Sequence, residues 1–195
     1  MYSTRFIIAV PVVILSAALS LSQNVERNHT VLVREVHFSG NLGESADQLH
    51  EYTEFLIGHL LERKKLLEDA SSAVRQALRH RGYLKVQVTP QLWSLKPSPE
   101  SKDVEVVLEL AIKAGKQYRV KDLTFVGLSR QVAQPDLRQA CNIRSGEIAD
   151  GEQVGSCVTN LRTLFQQKGQ DVFIVPSMIF EDADPIVSFQ FDVEE

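Results

Sequence analysis

Cys141 and Cys157 are the only thiols of the 195-residue chain. Two thiolates without a nearby histidine make a poor metal site, because a closed zinc centre needs four ligands. An even count favours a disulfide instead, provided that the chain works in an oxidising compartment. The histidines, His29, His37, His50, His59 and His80, show no H-E-x-x-H spacing, and none stands beside a cysteine. No G-x-S-x-G, phosphate-binding loop or G-x-G-x-x-G occurs. Glu105, Glu109, Asp192 and Glu194 alternate with apolar residues, as solvated strand positions do. The chemistry in reach is therefore a cross-link. The expectation is a non-enzyme with no cofactor, no metal and no small-molecule substrate. A formal net charge of −4 argues against a nucleic-acid partner.

Whether the thiols meet oxidising conditions depends on the first residues, MYSTRFIIAVPVVILSAALSLSQ. One cation, Arg5, precedes an uncharged run from Phe6 to Leu19. That run of about 14 residues falls short of the roughly 20 that cross a bilayer as a helix. Pro11 and the small residues Ala18, Ser20 and Ser22 suit a cleaved secretory signal over residues 1–22. No cysteine lies near the cut to take a lipid. The expected mature chain is exported, with room for one domain or two small ones.

The elements that must position the cysteines come as a duplication. VREVHFSGN (33–41) aligns with VKDLTFVGL (120–128), placing Val33 on Val120, Val36 on Leu123, Phe38 on Phe125 and Gly40 on Gly127. The same offset of 87 lays VRQALRHRGYLKVQV (74–88) on LRTLFQQKGQDVFIV (161–175), with Gly82 on Gly169 and Val88 on Val175. One offset fitting two separated blocks marks a tandem repeat.

Each copy opens with a strand that a glycine ends. A first helix is expected near Ala46–Ile57 and Pro135–Asn142, with Pro135 in a first turn that needs no N–H from it. The second helix of copy two carries one apolar stripe, Val154, Cys157, Val158, Leu161 and Phe165. Ala70, Val74, Ala77 and Leu78 take similar places in copy one, with Arg81 a polar end. Gly82 and Gly169 then stop their helices in the left-handed conformation and release the chain into a strand. Val104, Val106, Leu108, Leu110 and Ile112 share one face of a last strand, as do Val187, Phe189, Phe191 and Val193. The expected fold class is α+β: two tandem β-α-α-β-β units, each a three-stranded mixed sheet covered on one face by two helices. The units run over residues 31–113 and 118–195. Cys141 follows Leu137 by one helical turn and Cys157 sits in the facing stripe, so the two thiols should meet.

The unit size, the opening Phe38-Ser39-Gly40-Asn41 and Gly82-Tyr83 after the second helix resemble polypeptide-transport-associated (POTRA) domains. The stretch AGKQYRVKDLTFVGL (114–128) is similar to the boundary between successive repeats of that family. Copy two departs from the pattern at Gln170 and Leu128. The resemblance implies a periplasmic scaffold for protein interaction, chaperone-like, in outer-membrane protein assembly or secretion. Its partners would be proteins, unfolded outer-membrane client peptides, or an outer-membrane barrel supplied by another chain. No series of alternating ten-residue strands follows the second unit, so no barrel is expected here. The alternatives are an envelope or cell-division scaffold anchored by an uncleaved N-terminus, and the barrel-less front of an assembly protein.

Three features offer binding. The strand Asp171, Val172, Phe173, Ile174 and Val175 is read as an edge, with Phe173 and Val175 toward the helices and Ile174 outward beside a free backbone ladder. Its copy-one counterpart presents Lys85, Gln87 and Thr89, a better protected edge. The loop at residues 90–103 carries Trp93 and Leu95, which either meet a partner or extend the strand over the sheet. The basic residues Arg63, Lys64, Lys65, Arg75, Arg79, Arg81 and Lys85 could touch anionic head groups, although a charged helix is more often a solvated face.

Overall fold

Strict alternation builds the central strand of each unit. The computed structural model describes residues 30–96, 103–127, 132–181 and 183–194, so the expected signal at residues 1–22 lies outside the described residues. Strand β4 (Glu105–Lys113) buries Val106, Leu108, Leu110 and Ile112, and the last strand, β7 (Ile186–Glu194), buries Val187, Phe189, Phe191 and Val193 in the same rhythm. Each pairs in parallel with the opening strand of its unit, β1 (Thr30–Asn41) or β5 (Arg119–Val126). Each also pairs antiparallel with the strand before it, β3 (Gln87–Ser94) or β6 (Phe173–Glu181).

Helices fill the crossovers that parallel pairing requires. In unit one these are α1 (Ala46–Glu51) and α2 (Arg63–His80), in unit two α3 (Gln134–Cys141) and α4 (Gly151–Gln167). Ser45 and Gln48 form a reciprocal capping box at the start of α1, and Asp150 caps α4 through the Glu152 N–H. Leu49 on α1 and Leu66, Ala70, Val74 and Leu78 on α2 pack on one face of the first sheet. Leu137, Val154, Leu161 and Phe165 do the same in unit two.

Gly82 ends α2 as expected. Its φ is +85°, its N–H donates to Arg79 O, and the Tyr83 N–H reaches back to Leu78 O. Gly169, Gln166, Gln170 and Phe165 repeat that pattern after α4, a Schellman closure in both units. The tyrosine after Gly82 has a task of its own, since its hydroxyl donates to Gly43 O at 2.8 Å and closes the loop after β1.

Two expectations need correction. The first sheet has four strands, because a short strand β2 (Leu60–Glu62) joins it in the order β2-β1-β4-β3. The helix expected over 46–57 stops at Glu51, a 3-10 turn follows at Glu54–Leu56, and β2 then pairs antiparallel with Thr30–Leu32. Unit two keeps only a single bridge at that place, Arg119 to Ile148, and its sheet has the order β5-β7-β6. The second correction concerns register. Val88 pairs with Ile112 and Ile174 with Val193, while Pro90 and Pro176 face Leu110 and Phe191. Val88 therefore corresponds to Ile174 and not to Val175, because unit two has one residue fewer after its helix-ending glycine. A one-residue slip turns every side chain over. Ile174 is 2% exposed and faces the helices, whereas Phe173 and Val175 point outward.

The disulfide forms between Cys141 at the end of α3 and Cys157 within α4, with both residues buried and their Cα atoms 4.1 Å apart. It ties the helix pair of unit two; unit one packs its helices without such a link. Reduction should cost unit two roughly 3 kcal/mol, the entropy of opening a loop of this length. In a urea titration of the intact chain, the transition of unit two should move to lower urea and that of unit one should not; unaltered unfolding would mean that packing alone holds α3 on α4.

Gly40 and Gly127 end their strands against the partner strand's backbone. A Cβ at either would lie 2.4 Å from a carbonyl oxygen, of Ile112 and Val193 respectively, and φ is +90° and +74°. Gly58 shares the left-handed conformation at +79° but has open space around it. Gly58→Ala should therefore cost about 1 kcal/mol of backbone strain, and Gly40→Ala roughly 3 kcal/mol or more. Equal urea midpoints for the two variants would show that the sheet yields to the added methyl.

Candidate protein-binding surface

Strand β6 is a sheet edge, since the order β5-β7-β6 leaves one side of it without a neighbour. Three of its five outward residues are apolar, with Ser177 and Glu181 the others: Phe173 is 60% exposed, Val175 40%, and Ile179 is also exposed. The Arg162 guanidinium stands 6.0 Å from the centre of the Phe173 ring. Asp171 and Val172 precede the strand, and Val172 is buried. The edge of the first sheet is more polar. Strand β3 turns Gln87, Thr89, Gln91 and Trp93 outward, three of them polar. The edge strand begins at Phe173 rather than Asp171, and its outward residues near the expected site are Phe173 and Val175 rather than Ile174.

Trp93 belongs to β3 and not to a loop. It lies opposite Val107, and its indole N–H donates to Glu109 Oε2 at 2.9 Å. The Ser39 hydroxyl donates to the other oxygen of that carboxylate at 3.0 Å. The tryptophan therefore covers the outer face of the first sheet with its polar edge satisfied. Leu95 follows β3, its N–H donating to Glu105 O at 2.8 Å.

The expected basic cluster is dispersed. Lys65 pairs with Asp69 at 2.9 Å and Lys64 stands 4.0 Å from Glu68, both as helix neighbours. Arg81 turns to Glu44 at 3.0 Å and to the Tyr52 hydroxyl. Arg75 and Arg79 line a shallow cleft with Ser72, Gln76 and Glu152. Lys85 lies outside β3, its ammonium 4.3 Å from the ring centre of Phe180 and 5.6 Å from that of Tyr118.

That contact belongs to the junction between the units, which the sequence marks only as a boundary between repeats. Gly82 O accepts from the Tyr118 N–H at 2.9 Å, and the Gln117 side chain donates to Arg81 O at 2.8 Å. Leu84, from unit one, is buried in the core of unit two. His80 Nδ1 stands 3.0 Å from Asp150, and a Cβ at Gly82 would lie 2.8 Å from Ile148. Helix-end glycine and apolar plug act together: the glycine admits a close approach, and Leu84 fills it. The signal was present in Gly82-Tyr83-Leu84, but only as the end of a helix.

Among the described residues no group of histidine, cysteine and carboxylate could hold a metal ion. None of their helices is long and apolar enough to cross a membrane.

Comparison with known proteins agrees with this architecture. Residues 31–113 match the POTRA family, described as surface antigen variable number repeat. No curated protein sequence matches the chain. Among solved structures, POTRA domains 3–5 of BamA from Haemophilus influenzae superpose with a TM-score of 0.63 at 21% identity, over 85% of this chain and 61% of that one. BamA from Haemophilus ducreyi lacking POTRA domains 1–3 gives 0.62 at 18% identity, over 85% of this chain and 29% of that one. The chain thus spans less than two thirds of the length of either. Identities at this level speak for the fold, and the fold is the one built above from the repeat. Residues 31–113 are a POTRA domain, and with the second unit they make the chain a pair of tandem POTRA-like units.

Proposed function

We propose that this chain is a non-catalytic interaction module on the periplasmic side of an outer membrane, where it receives extended protein segments during outer-membrane protein assembly or secretion. The observation that carries the reading is the edge of β6, where a free backbone ladder lies beside the exposed apolar side chains Phe173, Val175 and Ile179. Soluble proteins usually guard such edges with charge, because the unpaired groups accept another strand. An added segment would gain main-chain hydrogen bonds from the ladder and selectivity from alternate side chains on the apolar face. Pro176 fits an edge when its missing N–H points away from β7. The added strand then finds donors at Ile174 and Met178, on either side of that gap. The buried two-layer core of each unit supports this role by holding β6 rigid, and the Leu84 plug holds the units together.

The test replaces outward residues and leaves Ile174 alone, since a lysine there would bury a charge and unfold unit two. A fluorescein-labelled ten-residue peptide of alternating aromatic and polar residues serves as probe. Val175→Lys and Ile179→Lys should each weaken its binding by about tenfold or more, with the thermal midpoint unchanged. Full binding by both variants, together with loss on Trp93→Ala, would move the site to the first sheet.

A further inference from the structure

Unit one carries a copy of the face through which unit two receives its neighbour. In unit two the Val120 N–H donates to Glu147 O at 2.9 Å, and the Gly146 N–H donates to Val120 O at 2.8 Å. Unit one builds the same turn, with Val33 N–H to His59 O at 3.4 Å and Gly58 N–H to Val33 O at 2.8 Å. The next residues, Ile148 and Leu60, are therefore equivalent. Ile148 meets the Gly82 turn of unit one, and the start of α4 completes that contact, with Arg79 and Leu84 close against Gly151. Leu60 has no such cover. It is 51% exposed, and Phe55 and Ile57 in the same connection are exposed as well.

The charge at the two faces differs within the first helical turn but not at the cap, where Glu62 stands in the place of Asp150. Asp150 and Glu152 open α4 and face the basic end of α2, where His80 meets Asp150. Helix α2 opens with Arg63, Lys64 and Lys65, with no acid in its first turn and no side-chain cap. Lys64 and Lys65 lean on Glu68 and Asp69, but Arg63 has no carboxylate partner among the described residues. Glu62, Glu68 and Asp69 offset much of this charge, which leaves Arg63, at the positive end of the helix dipole, as the cation placed to meet a further carboxylate.

We propose that this face of unit one, Leu60 with Phe55 and Ile57 beside Arg63 and Lys64, docks a protein segment of the complementary kind. Such a segment is a helix C-terminus closed by glycine, with an apolar residue following the glycine and a carboxylate in its last turn. The negative end of its dipole meets the start of α2, and its carboxylate meets Arg63. Arg63 stands where unit two has Gly151, so the occupant rests one side chain further out and meets a guanidinium fork suited to a carboxylate. A second copy of this chain does not qualify. Its Gly82 turn is occupied by its own unit two, and its other helix end, at Gly169, is followed by Gln170 and Asp171 rather than an apolar plug. The proposal is independent of strand addition at β6, which uses the other unit and another edge.

The test titrates the chain against a lactam-stapled, fluorescein-labelled peptide of residues 66–84 carrying Arg79→Glu, with His80 kept to meet Glu62 as it meets Asp150, its helix checked by circular dichroism. Saturable binding is expected, about tenfold tighter than for the unsubstituted peptide and weakened by salt. Leu60→Asp and Arg63→Glu should each reduce it by about tenfold, and the second variant decides if the first fails to fold. Absence of binding, equal affinity for the two peptides, or indifference to both substitutions would overturn the proposal. Binding of phosphatidylglycerol vesicles that the same substitutions abolish would also overturn it, by making the face a membrane contact.

Discussion

Everything in each unit hangs on the parallel pairing of its first and last strands. Parallel neighbours cannot be joined by a tight turn, so the chain between β1 and β4 must leave the sheet and return. It leaves over two helices and comes back through a hairpin, and that route sets which face is buried. Gly40 and Gly127 sit where this pairing ends, pressed against the carbonyls of Ile112 and Val193. Any side chain there would push the central strand away, and the helices above would lose the surface on which Leu66, Val74, Leu161 and Phe165 rest.

Local signals carried most of this architecture. The alternation in β4 and β7, the helical stripe ending in Phe165 and the glycines that close α2 and α4 are all written in short windows, so they could be read without a structure. The outward face of β6 could not, for a particular reason. Phe173, Ile174 and Val175 are all apolar, so alternation alone cannot say which one points inward, and the repeat offset silently changes by one residue after Gly169. Pro90 and Pro176 held the correct register, since they face Leu110 and Phe191 at matching places. Strand β2 was missed because three residues carry no period.

The junction lay beyond reach for another reason. Leu84 looks like an ordinary inward strand residue, yet it is buried in the neighbouring unit. Gly82 therefore answers two demands at once, a left-handed helix end and a close approach by Tyr118 and Ile148. Lys85, expected to guard an edge, lies over the rings of Phe180 and Tyr118 instead. Burial between domains leaves the same pattern in a sequence as burial within one.

The cystine has a bearing on how the second unit assembles. Cys141 and Cys157 are 16 residues apart, both within one helical hairpin, whereas the β5–β7 pairing joins the two ends of the unit. Closing the short loop costs about 1 kcal/mol less chain entropy than closing the long one. A chain that reaches an oxidising compartment unfolded can thus lock α3 against α4 before its sheet exists, and the paired helices then offer β5 and β7 a ready surface on which to meet. Unit one has no such early clasp and must gather its helices and strands together, so the two halves of a duplicated chain arrive at one fold by different routes.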